Sequence, residues 1–120
     1  MLDELNILVV EDEALIAMEV AMSLEDEGAE IVGPCSSVAT ALTRVTDADA
    51  AVLDVDVRGE AVFPVADELR AAGKPFLFHT GRDDLDTLRD RYGADVPIIR
   101  KPSGTTGLSN LLAEMVRRKT

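Results

Sequence analysis

Short apolar runs alternate with helix-forming stretches along the whole chain, and this rhythm constrains the fold more than any other feature. Asn6 to Val10 is a compact apolar run that ends in Glu11-Asp12. Glu13 to Glu27 is rich in good helix formers, with Gly28 as a stop signal. Glu30 to Gly33 is a second β-branched run, after which Ser36 or Ser37 is placed to cap a helix through about Val45. Ala50 to Leu53 is a third run, ending at Asp54; Pro64 suits the first turn of a helix to Ala72, closed by Gly73. Pro75 to Phe78 and Pro97 to Arg100 complete five strands. Between them, residues 82–92 offer only Leu85, Leu88 and Tyr92 to a core, so the helix there is the weakest of the five. Thr105 or Thr106 is placed to cap the last helix, whose Leu108, Leu111, Leu112, Met115 and Val116 recur at one-face spacing.

Strands that are apolar on both faces, alternating with helices, predict an α/β fold: a doubly wound, five-stranded parallel sheet with helices on both faces. Right-handed crossovers leave few strand orders, and for five strands the flavodoxin-like order 2-1-3-4-5 fits best. With 120 residues, one domain over 1–120 is expected.

Charge narrows the partners. The net charge of −11 argues against nucleic acid, whose binding rests on Lys and Arg neutralising phosphates, and equally against an anionic membrane surface. The basic cluster Arg117-Arg118-Lys119 ends the last helix, where it complements the helix dipole. A single cysteine, Cys35, excludes an internal disulfide. No apolar run reaches the ~20 residues of a membrane span, and the acidic start is unlike a secretory signal, so a cytoplasmic location is expected.

In open α/β sheets, ligands bind beyond the C-terminal strand ends, where the strand order reverses. The first strand delivers Glu11 and Asp12 to that rim, the third Asp54, the fourth Thr80 and the fifth Lys101. Two carboxylates about 5 Å apart repel by roughly 3 kcal/mol at an effective dielectric of 20. A hard divalent cation with oxygen ligands would offset this, Mg²⁺ being the natural choice, with Lys101 as a second positive charge on the opposite side. Each residue alone has a plainer explanation. Asp12 could simply cap the first helix, Asp54 could form a turn, and Thr80-Gly81 is an ordinary strand exit. The joint pattern, in order on one rim, is what points to a site.

Those residues resemble the receiver domains of two-component response regulators along essentially the whole chain: Val9-Val10-Glu11-Asp12-Glu13, Ala51-Val52-Leu53-Asp54-Val55, Thr80-Gly81 and Lys101-Pro102. The resemblance implies a signalling module, not an enzyme with turnover. In it Asp54 accepts a phosphoryl group from a sensor histidine kinase or phosphotransfer protein, and the change alters binding to a downstream partner. It implies Mg²⁺ bound by Asp12, Asp54 and the backbone carbonyl of Asp56, with Glu11 holding the metal's water shell. Thr80 and Lys101 would hold the phosphoryl oxygens, and the Lys101–Pro102 peptide would be cis. Pro75-Phe76-Leu77-Phe78-His79-Thr80-Gly81 is similar to the Phe-Ala-Thr-Gly (FAT GUY) subclass of alphaproteobacterial stress signalling, as is the segment from Arg58-Gly59-Glu60 to Ala66. Three positions depart from the wider pattern: Ile98 stands where most receivers carry an aromatic switch residue, His79 replaces the usual alanine, and Arg82 follows Gly81.

Other families fit less well. Asp54-Val55-Asp56 mimics the nucleophile pair of haloacid-dehalogenase-type phosphatases, but there the acidic pair comes last, and this chain has no room for a substrate cap. A flavodoxin-like cofactor binder needs a first loop rich in Ser, Thr and Gly, and Glu11-Asp12-Glu13 would repel a phosphate. A histidine phosphotransfer domain is a helical bundle, so His79 on a strand does not suggest one. The remaining alternative is a degenerate receiver acting through protein contacts without phosphorylation.

Overall fold

A computed structural model of the chain describes residues 2–81, 85–101 and 105–119. Expectations about Arg82 and about the Lys101–Pro102 peptide concern residues outside this set. The elements are β1 (Asn6–Val10), α1 (Ala14–Asp26), β2 (Glu30–Cys35), α2 (Val38–Leu42), β3 (Ala50–Leu53), β4 (Asp56–Val57), β5 (Glu60–Ala61), α3 (Phe63–Ala71), β6 (Phe76–Thr80), α4 (Asp86–Tyr92), β7 (Ile98–Arg100) and α5 (Thr105–Lys119).

The main sheet has the order β2-β1-β3-β6-β7, all neighbours parallel, which is 2-1-3-4-5 when its strands are counted along the chain. Successive strand residues point to opposite faces, so two cores form. Ile7, Val9, Val52 and Leu77 pack on one face beneath Val20 and Leu24 of α1 and Leu108 and Leu112 of α5. Leu8, Val10, Leu53, Phe76 and Phe78 pack on the other beneath Val38 of α2, Val65 and Leu69 of α3, and Leu88 and Tyr92 of α4.

Several boundaries differ from the sequence expectation. The first helix ends two residues before Gly28, whose φ of +98° suits the reversal that follows. β2 runs two residues further, through Pro34 to Cys35, with a register shift against β1. An edge strand admits a proline because its outward N–H side has no ladder partner to lose. Ser37 caps α2 by accepting from Thr40 N, but the helix stops at Leu42 and a 3-10 turn, Val45–Asp47, replaces its expected end. α4 starts only at Asp86. Thr105 lies inside α5, not at its cap. Two short strands were not anticipated: β4 and β5 pair antiparallel as a small hairpin between β3 and α3.

Candidate functional site

Strand register brings the acidic groups together. Val10 of β1 pairs with Leu53 of β3, and Asp54 N donates to Val10 O at 2.9 Å, so Glu11 and Asp54 leave the sheet side by side. A slip of one residue would turn Asp54 to the opposite face. On the other flank Lys101 N donates to Thr80 O at 2.8 Å, tying the end of β7 to the end of β6. All five residues expected at the rim are there. Carboxylate oxygens of Glu11, Asp12 and Asp54 lie within 4.8 Å of one another. Asp12, Glu13, Asp54, Asp56, Thr80, Gly81 and Lys101 line one open cleft of about 290 Å³.

Lys101 does not stand on the opposite side from the acidic groups, as expected, but lies between Glu11 and Asp54. Its Nζ donates to Glu11 Oε1 at 2.5 Å and to Asp54 Oδ2 at 3.2 Å. The reach of its side chain from β7 puts the ammonium between two carboxylates that adjacent strands hold together, so part of the repulsion is met by the chain itself. Burial alone would lower the Lys101 pKa, but the Glu11 and Asp54 carboxylates outweigh it and raise it above 10.5. Glu11, only 4 % exposed, has its carboxyl pKa raised above 4.5 by burial, against the opposing pull of Lys101. Its second oxygen, Oε2, accepts from Glu13 N at 3.2 Å.

Asp12 is not the cap of α1, as its plainer explanation held. Glu13 occupies that position and makes no side-chain cap bond. Asp12 Oδ2 accepts instead from Arg58 N, in the β4–β5 turn, at 2.9 Å. That bond holds the Asp12 carboxyl below its ordinary 3.8. A backbone donor from a two-residue turn leaves no mark in residue type, which is why sequence reasoning missed it.

Two carboxyl groups thus share one ammonium, and a third, that of Asp12, lies close beside them. An all-oxygen donor set of this kind suits a hard divalent cation such as Mg²⁺, which commonly takes one or two carboxylates and completes its shell with water and phosphate. Asp56 lies on the cleft wall at the start of β4. His79 is 6 % exposed and shares the face of β6 that carries Leu77. Burial, and secondarily the nearby Lys101, push its pKa below 6.5, with Glu11 pulling the other way. Ile98 pairs with Phe78 and packs on the same core as Tyr92, whose ring centroid lies 5.3 Å from that of Phe78.

No protein-family model matches the chain, and no curated protein does. Among solved structures it resembles SdrG from Sphingomonas melonis Fr1, with 41 % identity over 94 % of this chain and 97 % of that one and a TM-score of 0.75. The BeF3-activated conformation of SdrG, assigned to Pseudomonas melonis Fr1, gives 42 % identity over 97 % and 99 % of the two chains and a TM-score of 0.74. A response regulator receiver protein from Sinorhizobium medicae WSM419 shares the fold over the full length of both chains, with a TM-score of 0.87 at 21 % identity. Identity above 40 % across nearly all of both chains, on this fold and with this rim, places the chain in the receiver domains of response regulators.

Proposed function

We propose that the chain is a phosphoacceptor domain of a two-component or phosphorelay system, with Asp54 as the acceptor and a sensor histidine kinase or phosphotransfer protein as the donor. One observation carries the assignment. Of the three carboxylates, Asp54 alone lines the open cleft while also accepting from Lys101. Asp12 and Asp54 would hold Mg²⁺ with the Asp56 carbonyl, and Glu11 would hold its water shell. Such an ion, when bound, would supply positive charge to offset the carboxylates and the phosphoryl oxygens.

The chain's own residues do the rest. An Asp54 oxygen forms the new O–P bond as the N–P bond of a phosphohistidine breaks, and the imidazole leaves with the bonding pair. Lys101, already within reach of Asp54, offsets the negative charge of the incoming phosphoryl oxygens. Thr80, 1 % exposed at the end of β6, donates its hydroxyl to a phosphoryl oxygen. The donor protein approaches over α1, where the exposed Met18 and Met22 line a cleft with the acidic pair. The Pro75–Gly81 motif supports membership of the Phe-Ala-Thr-Gly subclass, and a cytoplasmic location accords with the absence, among the described residues, of any helix long and apolar enough to cross a membrane.

A small-molecule phosphodonor tests the proposal without the cognate kinase. The chain should gain one phosphoryl group in the presence of Mg²⁺ and none in excess chelator, as read by intact mass. A degenerate receiver, working through protein contacts alone, would gain none in either case.

A further inference from the structure

The β4–β5 hairpin stands between β3 and α3, and its turn touches Asp12 of the acidic pair. The Val55 carbonyl closes its base, accepting from Val62 N at 2.8 Å, and the buried Val55, Val57 and Val62 fasten it to the core. Asp56 pairs with Ala61 and Val57 with Glu60, leaving Arg58 and Gly59 as the two turn residues. Both have positive φ, +52° and +80°, as the hairpin turns that match strand twist require. For Arg58 that conformation is costly, and such strain persists only where the surroundings hold it. Here the same conformation aims Arg58 N–H at Asp12 Oδ2, 2.9 Å away and 46 residues distant in sequence.

We infer that the Arg58 N–H positions the Asp12 carboxylate for the divalent cation, so that the β4–β5 turn sets the metal affinity of the site. The turn engages Asp12 Oδ2 and so fixes the carboxylate on the wall of the cleft where the ion would sit. Asp56, two residues before Arg58, begins the same hairpin, so a single small element governs both Asp12 and the strand end that carries the Asp56 carbonyl. The inference rests on the proposed Mg²⁺-dependent phosphoacceptor function and names the backbone group that tunes it. The guanidinium of Arg58 has no part in it.

Titrating Mg²⁺ into the full chain by calorimetry, with metal-free thermal melts alongside, tests this. A Cβ at position 59 would meet nothing within 4 Å, so Gly59→Val strains the turn without a clash. Gly59→Val is expected to weaken Mg²⁺ binding by about tenfold or more, the usual cost of losing a partner that orients a ligand. Arg58→Pro, which removes the donor and cannot hold the positive φ of the turn, should weaken it at least as much. Arg58→Gly, which keeps the N–H and relieves the strain, should bind as the parent does. In an Asp12→Ala background, Gly59→Val should cost much less than in the parent, since only its effect through the Asp56 carbonyl remains. If Gly59→Val does not melt cooperatively, the milder Gly59→Ala takes its place.

Parent-like binding by Gly59→Val and Arg58→Pro would overturn the inference, and so would Arg58→Gly binding as weakly as Arg58→Pro. Failure of the parent to bind Mg²⁺ at all would instead overturn the proposed function, and the inference with it.

Discussion

His79 is a buried base one residue before the Thr80 hydroxyl, and the groups that act on its charge are Lys101 and Glu11. Because its folded pKa lies below 6.5, the unfolded chain binds the extra proton between the two values, so in that window stability rises with pH. The contribution is therefore present above 6.5 and is lost as pH falls through the folded value. His79→Gln keeps a polar side chain but cannot titrate. In urea melts below pH 6.5 it should flatten the pH dependence of unfolding free energy, by at most about 1.4 kcal/mol per pH unit. An unchanged slope would show that the imidazole does not titrate with folding. The placement of the rim side chains was largely legible in the sequence. Glu11, Asp12, Asp54, Thr80 and Lys101 all appear where the order of strand ends required. The bridging geometry of Lys101 was not legible, since residue type gives no reach or rotamer. The Arg58 amide was not legible either, because every residue but proline carries one.

Elements with a long hydrophobic period were readable and short ones were not. β1, β3 and β6 are mostly apolar and, Asn6 apart, buried on both faces. β4 and β5, of two residues each, have no period to detect; only the Gly59 in their turn hinted at a hairpin. α4 was expected to be poorly anchored, and over residues 86–92 its C-terminal end is not. Leu88 and Tyr92 are buried, and Tyr92 sits in a cluster with Phe63, Phe76 and Phe78. Its hydroxyl donates to Asp67 Oδ1 of α3 at 2.8 Å, and Arg91 reaches Asp67 Oδ2 at 3.1 Å while lying 4.5 Å over the Phe63 ring. With Ile98 in place of an aromatic on β7, this latch joins α4 to α3 and, through Phe78, to the strand that ends in Thr80. Tyr92→Phe keeps the ring and removes the hydroxyl, leaving Asp67 without that donor. It should destabilise the chain by about 1 kcal/mol, the net worth of such a hydrogen bond, and speed amide exchange in residues 88–92 more than in β1 or β3. Uniform exchange rates across the chain would show that the hydroxyl does not hold α4.

For the whole molecule, the strand order makes the site. β1 and β3 are neighbours at the centre of the sheet, with β2 and β6 on their outer sides, so the point where the chain reverses its direction of winding falls between Glu11 and Asp54. The two cores fasten every strand that contributes to the rim, which lets adjacent carboxylates be held near one another despite their repulsion. The fold class and strand order followed from the alternation of runs and from the narrow choice that right-handed crossovers leave. The register that sets Asp54 beside Glu11 depends on pairing that no single strand reveals. Everything proposed for this geometry converges on one oxygen atom. The most direct measurement compares the intact chain with Asp54→Asn and Asp56→Asn after incubation with a small phosphodonor and Mg²⁺, mapping the phosphoryl group by peptide mass. The parent and Asp56→Asn should carry it on Asp54, and Asp54→Asn should carry none. Labelling of Asp54→Asn equal to the parent, with the group found on Asp56, would contradict the assignment of the acceptor.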